Sequence, residues 1–518
     1  MNWKSVILAA GLATFGVGAV LAQQTGGTLT IRLNSDIRAT DGLNRDGNTD
    51  MVMHHIFETL VAYKDDLTIG PLLAESWTLS DDGRTYTFTL REGARFHNGA
   101  PVTAQDVIWN WDRRVAAGSD WFCNPYFDGT QGLKVESITA TDDRTVVFTI
   151  NEPNALFLAQ LANIQCNGWV AHPDSMSADG TWNTEAPIGS GPFRMGEWKR
   201  GQYLQLERFA DYVPLKTPMS GYAGDRTAYV DAVRFLTVPD TAAAESALYA
   251  GQIDVLPDLE PANIGEAEKN GAAIVTGDGL GFQVLLVQTD DPLLSDVRMR
   301  KAIIQAIDFE QIAKLRSSGL SSFNPSMVPN ASTFFDESFL NWPRYDVAAA
   351  KALLAEAGYK NQPITIQTNT RYQNMYEVAV VAQAMLQAAG INAQLEVLDW
   401  ATQLDNYSNG KFQLQSFSYS PRLDPSLLYG VFLGDKATDA SAQWENPAAM
   451  DLYIRSTKEA DPQARQNLFR ELHGLLVEDL AVMGLMYVPL VDAVSKSVNG
   501  YTVWPGGRTR AWGVSKVN

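Results

Sequence analysis

The chain has 518 residues, of which 45% are hydrophobic and 19% charged, and this composition is typical of a globular protein with several domains. Its formal net charge is −19 at pH 7, and so acidic a chain is repelled by nucleic-acid phosphates. Composition therefore predicts a folded, multi-domain protein and argues against a nucleic-acid partner.

The first 22 residues have the pattern of an export signal. Lys4 supplies the positive charge, residues 6–20 form an apolar segment, and small residues precede a cleavage site after Ala22. A membrane anchor would need about 20 apolar residues, and three glycines within this segment disfavour one. We therefore predict a signal peptide at residues 1–22 and a soluble mature protein in the periplasm.

Residues 78–114 combine two turns, a strand and the start of a helix. Residues 85–90, TYTFTL, alternate apolar side chains with threonines, which predicts a half-buried strand. Thr103 and Asp106 have the spacing of a capping box, so a helix should begin directly after Thr103. The residues predicted to form its inward face are Val107, Ile108, Trp111 and Val115.

Strand and helix patterns alternate along the rest of the chain. Residues 139–153 repeat the turn and strand of the previous segment once, which is too few copies for a solenoid. Further strands are predicted within residues 27–33, 203–209, 232–238, 281–289, 363–369, 392–400 and 412–420. Helices are predicted at residues 297–315, 346–358 and 376–390. This mixture favours an α/β fold.

Motifs for catalysis are scarce. His54 and His55 lack metalloprotease spacing and fit a helix in the core or at the surface. The glycine-rich residues 277–282 precede a strand pattern and not the helix that a phosphate site requires. Ser190 lies between glycines but lacks the nucleophile-elbow context. We therefore predict no enzyme activity, no cofactor and no metal site.

Cys123 and Cys166 are the two cysteines of the chain. In an exported protein an even number of cysteines predicts a disulfide, here between these two residues. The alternative is a pair of buried free thiols.

Several long segments together resemble one family, the extracellular solute-binding proteins of family 5, which are the dipeptide, oligopeptide and nickel receptors of ABC importers. The resemblance covers residues 28 to the end, essentially the whole mature chain. The segments that carry it are residues 74–77 (AESW), 82–107, 187–193 (PIGSGPF), 280–308, 350–359 (AKALLAEAGY) and 397–414.

The resemblance implies a two-lobed periplasmic binding protein fold of the large class II type, with a third subdomain inserted in the first lobe. The implied boundaries are residues 23–60, 187–279 and 490–518 for lobe 1, residues 61–186 for the inserted subdomain, and residues 280–489 for lobe 2. The stretch around residues 82–107 would then shape the subdomain and take no part in catalysis.

In several peptide receptors of the family, an aspartate of lobe 2 binds the peptide ammonium group. The matching segment here is residues 418–430, in which Tyr419 matches an aromatic residue, Asp424 matches an acid before proline, and Arg422 occupies the position of that aspartate. An arginine there suggests a ligand with an anionic group. The alternative is an internal salt bridge, for example with Asp424. Further candidate ligand-binding residues are Trp400, Arg371, Tyr372, Asn44 and Arg45.

The function that the resemblance implies is capture of a peptide-like solute, such as a short peptide or a modified peptide, in the cleft between the lobes. The implied partners are an inner-membrane ABC permease and its ATPase subunits, and the implied state is a monomer. The alternatives are a chaperone or chemosensory receptor on the same fold, or a hydrolase. Nickel and haem occur as ligands in the family, but no His, Met or Cys cluster of this chain supports either.

Overall fold

The structure is a computed structural model that describes residues 26–43, 46–116 and 119–517. The predicted signal peptide, Asn44 and Arg45 lie outside the described residues.

The strands confirm the predicted α/β character; those predicted from period-2 patterns are present, whereas others, among them β16, were not predicted. In chain order they are β1 (Thr28–Leu33), β2 (Val61–Tyr63), β3 (Ile69–Pro71), β4 (Ala74–Leu79), β5 (Thr85–Leu90), β6 (Val135–Asp142), β7 (Thr145–Ile150), β8 (Phe193–Lys199), β9 (Tyr203–Arg208), β10 (Ala232–Thr237), β11 (Val255–Leu256), β12 (Ala273–Val287), β13 (Ile364–Asn369), β14 (Ala393–Leu398), β15 (Leu414–Tyr419), β16 (Val482–Val494), β17 (Val498–Asn499) and β18 (Ser515–Lys516).

Ten strands form one large sheet in the order β14-β13-β15-β12-β16-β11-β1-β10-β9-β8. The long central strands β12 and β16 pair with each other from Ala273↔Val494 to Leu286↔Val482 and extend through both halves of the sheet. We call the half with β1 and β8–β11 lobe 1, and the half with β13–β15 lobe 2. Within this sheet the two lobes are joined by β12 and β16, so these strands form the hinge region.

The helices pack on both lobes and on the inserted subdomain. They are α1 (Gly47–Met53), α2 (Ala104–Val115), α3 (Phe157–Leu161), α4 (Thr241–Tyr249), α5 (Ile264–Lys269), α6 (Val297–Ala306), α7 (Phe309–Arg316), α8 (Val347–Glu356), α9 (Gln373–Ala388), α10 (Trp400–Ser408), α11 (Pro425–Phe432), α12 (Pro447–Lys458) and α13 (Pro462–Asp479).

The prediction of one helix over residues 297–315 was wrong. The chain leaves the helical conformation at Ile307, which has φ −109° and ψ 125°. Asp308 then caps a second helix, because its side chain accepts a hydrogen bond from the backbone N–H of Gln311. The two segments are therefore the separate helices α6 and α7.

The inserted subdomain contains a four-stranded antiparallel sheet, β4-β5-β7-β6. The predicted capping box at the start of α2 is present, with Thr103 and Asp106 each accepting a hydrogen bond from the other's backbone N–H. The predicted inward position of Val115 is wrong, because Val115 is 37% exposed and Arg114 occupies the buried face. The disulfide between Cys123 and Cys166 is present. Its closed loop stabilises the fold by about 4 kcal/mol in the chain-entropy model.

Buried hydrophobic residues form separate clusters for lobe 2, for lobe 1 and for the inserted subdomain. The largest cluster draws its buried members from residues 282–487, and the subdomain cluster draws most of its members from residues 60–170. A third cluster combines residues 29–57 with residues 193–255 and 494–514. Trp169 and Ala171 belong to the lobe 1 cluster and Trp504 and Trp512 to the subdomain cluster, so the domain boundaries stay a prediction.

His54 and His55 belong to this interior, in agreement with the structural interpretation of the pair. Burial lowers the pKa of each ring to about 3, so both are neutral at physiological pH. Ordinary histidines titrate near 6.5. Because the folded-state pKa is depressed, the stability that these rings contribute is complete above 6.5 and is lost as the pH falls toward about 3.

A buried ion pair joins the inserted subdomain to lobe 1. Both nitrogens of the Arg91 fork donate to the Glu58 carboxylate, at 2.7 and 2.6 Å, and both side chains are almost completely buried. The hydroxyls of Ser190 and Tyr212 donate to the same carboxylate, at 2.8 and 2.9 Å. Burial would raise the pKa of Glu58, but the charge and hydrogen bonds of Arg91 lower it below its usual value. Each carboxylate oxygen therefore has two donors.

We expect Arg91→Met to lower the free energy of unfolding by about 3–5 kcal/mol, because it leaves the Glu58 carboxylate buried without a cation. Urea unfolding followed by tryptophan fluorescence measures this loss. The double variant Glu58→Gln with Arg91→Met should recover part of it. Arg194→Met is the control, because the Arg194–Glu207 pair is exposed, and it should cost about 1 kcal/mol or less. An equal small loss for both arginines would contradict the prediction.

Candidate ligand-binding site

The directions of the strands place the candidate cleft between the lobes. In lobe 1, β1 runs parallel to β10 and β11, and in lobe 2, β13 runs parallel to β14 and β15. In lobe 2, the last residue of β15, Tyr419, pairs with Phe282 of β12. In lobe 1, the chain that follows β11 continues beside β16 in the direction of Leu490. The carboxyl ends of both parallel groups therefore point toward the hinge region. Ligands of open α/β sheets bind at such ends.

A row of aromatic rings leads from the exposed Tyr372 into the core of lobe 2 beside the candidate cleft. The ring of Tyr372 packs at 4.9 Å from Trp400, and Trp400 lies 5.6 Å from Phe417. The ring of Phe417 lies 4.9 Å from that of Tyr419, which is buried. The guanidinium of Arg371 lies 5.7 Å from the Tyr372 ring and is exposed. The structure thus brings four predicted site residues to the carboxyl ends of β13, β14 and β15, where Arg371 and Tyr372 are exposed, Trp400 is half-buried and Tyr419 is buried.

Arg422 lies at the same edge, three residues after β15, and is half-buried. Its Nη1 donates to the Ser420 hydroxyl at 2.8 Å and to the backbone carbonyls of Ser420 and Pro421 at 3.1 and 3.3 Å. Burial raises the pKa of Tyr419 well above its usual value, and the nearby charge of Arg422 opposes that rise. Among the residues that the structure describes, no carboxylate forms an ion pair with Arg422.

Asp424 is used inside the protein, so the structure contradicts both predictions that involve its carboxylate. Arg465 donates to both carboxylate oxygens at 2.7 Å, and both side chains of this pair are less than one-tenth exposed. Asp424 also caps α11 by accepting a hydrogen bond from the Ser426 N–H at 2.8 Å. The predicted Arg422–Asp424 salt bridge is therefore wrong. Asp424 is also not a candidate ligand contact, because its oxygens already have donors.

Two carboxylates lie on the lobe 1 side of the cleft. The backbone N–H of Asp258 donates to Asp492 at 3.1 Å, and Tyr501 donates its hydroxyl proton to the other Asp492 oxygen. Burial, and then the charge of Asp258, raises the pKa of Asp492 to about 7. Asp258 is exposed and has a left-handed backbone with φ 58°, a conformation that is strained for a non-glycine residue. Both residues line a small cavity together with Arg508.

The sequence analysis missed this carboxylate pair. Asp492 carried one signal, because a charged residue interrupts an otherwise apolar strand, the residues 488–494 of β16. No sequence pattern indicated Asp258, because its position depends on contacts with a segment 234 residues away.

The inserted subdomain and lobe 2 touch at one end of the cleft. The backbone N–H of Ala155 donates to the Thr457 carbonyl at 2.8 Å, and Lys458 Nζ lies 2.8 Å from Glu152. Leu423 of lobe 2 belongs to the core of the subdomain. These contacts close one side of the cleft.

Metal-ligand clusters and membrane-spanning helices are both absent from the described residues. No group of three or more His, Cys, Asp or Glu side chains there could hold a metal ion. Within the same ranges no helix is long and apolar enough to cross a membrane.

Comparison with known proteins identifies the family. The model of the bacterial extracellular solute-binding proteins, family 5 (middle region), matches residues 68–439. The chain belongs to this family. Members of the family are substrate-binding proteins rather than enzymes.

Relatives match this family-5 chain over almost its whole length. A probable peptide ABC transporter periplasmic-binding protein of Sinorhizobium fredii is 30% identical over 486 residues, which cover 89% of this chain and 88% of the relative. The substrate-binding protein CtaP of Listeria monocytogenes has a TM-score of 0.83 and 22% identity, with coverage of 96% and 100%. DppA of Helicobacter pylori, in complex with a peptide, has a TM-score of 0.75 and 26% identity, with coverage of 96% and 99%. The two-lobed periplasmic binding protein fold is thereby confirmed.

We expect the stability of Asp492→Asn relative to the wild type to increase with pH. The folded-state pKa of Asp492 lies above its ordinary value of 3.8, so its contribution to stability is complete below 3.8 and is lost as the pH rises through about 7. The asparagine amide cannot ionise. The difference in stability between the variant and the wild type should therefore shift in favour of the variant by up to about 4 kcal/mol between about pH 4 and about pH 8. Thermal unfolding at both pH values measures the change.

The control for this measurement is the exposed Asp142, whose pKa is lowered by hydrogen bonds from the Arg144 backbone and the Thr145 side chain. Asp142→Asn should show no gain in relative stability between the two pH values. A gain of the same size in both variants would contradict the assignment to Asp492.

Proposed function

We propose that this protein is the periplasmic receptor of an ABC importer, which captures a peptide-like solute with an anionic group and delivers it to the membrane permease. Family membership over residues 68–439 supports the assignment as a receptor of an importer. A relative described as a probable peptide ABC transporter periplasmic-binding protein supports a peptide-like solute. The export pattern of residues 1–22 supports the periplasmic location. The permease and its ATPase subunits are the partners that such a receptor requires.

The observation that carries the anionic ligand is the environment of Arg422. This guanidinium lies at the cleft edge, is half-buried, and has only neutral oxygen acceptors among the described residues. A guanidinium presents a rigid fork that matches a carboxylate or phosphate. The exposed Tyr372 and the half-buried Trp400, whose rings lie 4.9 Å apart, would pack against the apolar part of the solute.

We expect Arg422→Ala to weaken binding by about 2–5 kcal/mol, or roughly 30-fold to several thousand-fold, because the ligand anion would lose its cation in the closed cleft. Mass spectrometry of the protein as purified identifies the bound solute, and calorimetric titration of the emptied protein gives the affinity. Arg422→Lys should recover part of the loss, because an ammonium group cannot reproduce the fork.

Arg455→Ala is the matched control, because Arg455 is an exposed arginine of lobe 2 on α12. The ligand affinity of this variant should equal that of the wild type. An Arg422→Ala dissociation constant within about threefold of wild type would exclude the anion contact. A loss of thermal stability with unchanged affinity would indicate a structural role for Arg422.

Hinge closure on the ligand is supported by the strand arrangement and by the contacts at one end of the cleft. The segment of β12 between the lobes is rich in glycine, and a Cβ at Gly279 would lie 2.1 Å from the Val488 carbonyl oxygen of β16. The backbones of β12 and β16, the two strands that pass from one lobe to the other, therefore approach closely. The Glu152–Lys458 ion pair and the Ala155–Thr457 hydrogen bond form only when lobe 2 and the subdomain are in contact.

We expect small-angle scattering to show compaction of the wild type on addition of saturating ligand. Lys458→Glu would place a like charge beside Glu152 and oppose the closed form, so the affinity should fall by about two- to fivefold. Exchanging the two charges, as Glu152→Lys with Lys458→Glu, should restore it. Lys269→Glu, at an exposed pair of lobe 1, is the control and should have no effect. No compaction with a verified ligand would contradict hinge closure.

A further inference from the structure

The inserted subdomain contains a buried arginine whose charge is poorly compensated. Arg114 lies on the inner face of α2 with 3% of its surface exposed. Its Nη2 donates to the Trp169 carbonyl, and its Nη1 makes a long contact of 3.5 Å with the Asn110 carbonyl. Its Nε is buried and has no hydrogen-bond partner among the described residues. Over the same residues, no carboxylate forms an ion pair with it.

A buried charge of this kind needs compensation from its surroundings, because desolvation of an ion costs several kcal/mol. Burial, and then the charge of Arg113, lowers the pKa of Arg114 to about 9, so the group still carries its charge at neutral pH. Asp41 opposes this shift only through its charge at a distance. Arg226 provides a contrast within the same chain, because all three of its nitrogens donate to carbonyls and it packs on the Trp512 ring.

Arg114 borders an internal cavity of about 20 Å³. This space is large enough to hold water or a small anion. The cavity wall is formed mainly by the aromatic rings of Trp111, Trp121, Phe127 and Phe148, with the amide group of Gln160 as a further polar contributor. The cavity therefore combines an uncompensated cation with room for a small anion.

We propose that this cavity is a halide-binding site, in which a chloride ion accepts hydrogen bonds from the free N–H groups of Arg114. The ion neutralises the guanidinium and links α2 to the segment around the Cys123–Cys166 disulfide, because Cys166 also lines the cavity. The site belongs to the folded subdomain and is independent of the solute cleft.

The test measures urea unfolding as a function of chloride concentration, from about 1 mM to 1 M, with sodium gluconate holding the ionic strength constant. Above the dissociation constant, each tenfold increase in chloride should lower the unfolding equilibrium constant about tenfold, since the ion binds only the folded state. Bromide should act as chloride does. Arg114→Met should remove this dependence.

Arg300→Met is the matched control, because Arg300 is also a buried arginine bonded to carbonyls, in lobe 2. It should lower stability but keep the chloride dependence of the wild type. A dependence that survives in Arg114→Met, or that is missing from the wild type up to about 1 M chloride, would overturn the proposal.

Crystals of the wild type grown with bromide provide a readout that does not require any variant to fold. An anomalous peak beside the Arg114 guanidinium at millimolar bromide supports the site. A peak only at molar bromide would identify an adventitious ion only, and no peak would leave ordered water as the occupant. Either result overturns the proposal.

Discussion

The Glu58–Arg91 ion pair fixes how the inserted subdomain sits on lobe 1, and most of the functional geometry depends on it. Arg91 comes from the end of β5, Glu58 from the segment after α1, and Ser190 from the glycine-rich residues 187–193. A Cβ at Gly189 would lie 2.0 Å from the Ile56 carbonyl oxygen, so only glycine lets this segment approach Glu58. These segments, which carry no catalytic residues, thus form one buried hydrogen-bond network. A half-satisfied network would cost more than an apolar core, which explains why its four partners occur together.

With the subdomain held on lobe 1, the rest of the geometry follows from the direction of the strands. The parallel strands of both lobes end beside the point where β12 and β16 pass from one lobe to the other. The polar loops of the two lobes therefore face each other there. Lobe 2 offers aromatic rings and the Arg422 cation, whereas lobe 1 offers the carboxylates of Asp258 and Asp492. Asp492 is buried and both of its oxygens already accept hydrogen bonds, so the exposed Asp258 is the carboxylate of this pair that a solute can reach.

Sequence reasoning succeeded where the determinants of structure are local. The alternation of residues 85–90 and the capping box at Thr103 specify a strand and a helix start within a few residues, and both are present. The break between α6 and α7 also had a local signal, the Asp308-to-Gln311 cap, which was overlooked. Asp424 could not be placed, because its partner Arg465 is 41 residues away and nothing near Asp424 announces it. Contacts of this kind appear only when the chain is folded.

The path of the chain through the large sheet imposes an order of assembly. The core of lobe 2 is built almost entirely from residues 282–487, a continuous stretch that can collapse on its own contacts. Lobe 1 begins with β1 but completes its core with residues 494–514, and Lys516 reaches back to the Thr28 carbonyl. Strand β1 pairs with β10 and β11, but the core around it is completed only by residues near the end of the chain. Until residues 494–514 are in place, the apolar side chains of residues 29–57 and 193–255 therefore lack part of their cover, whereas the subdomain core, drawn mostly from residues 60–170, does not depend on them to the same extent.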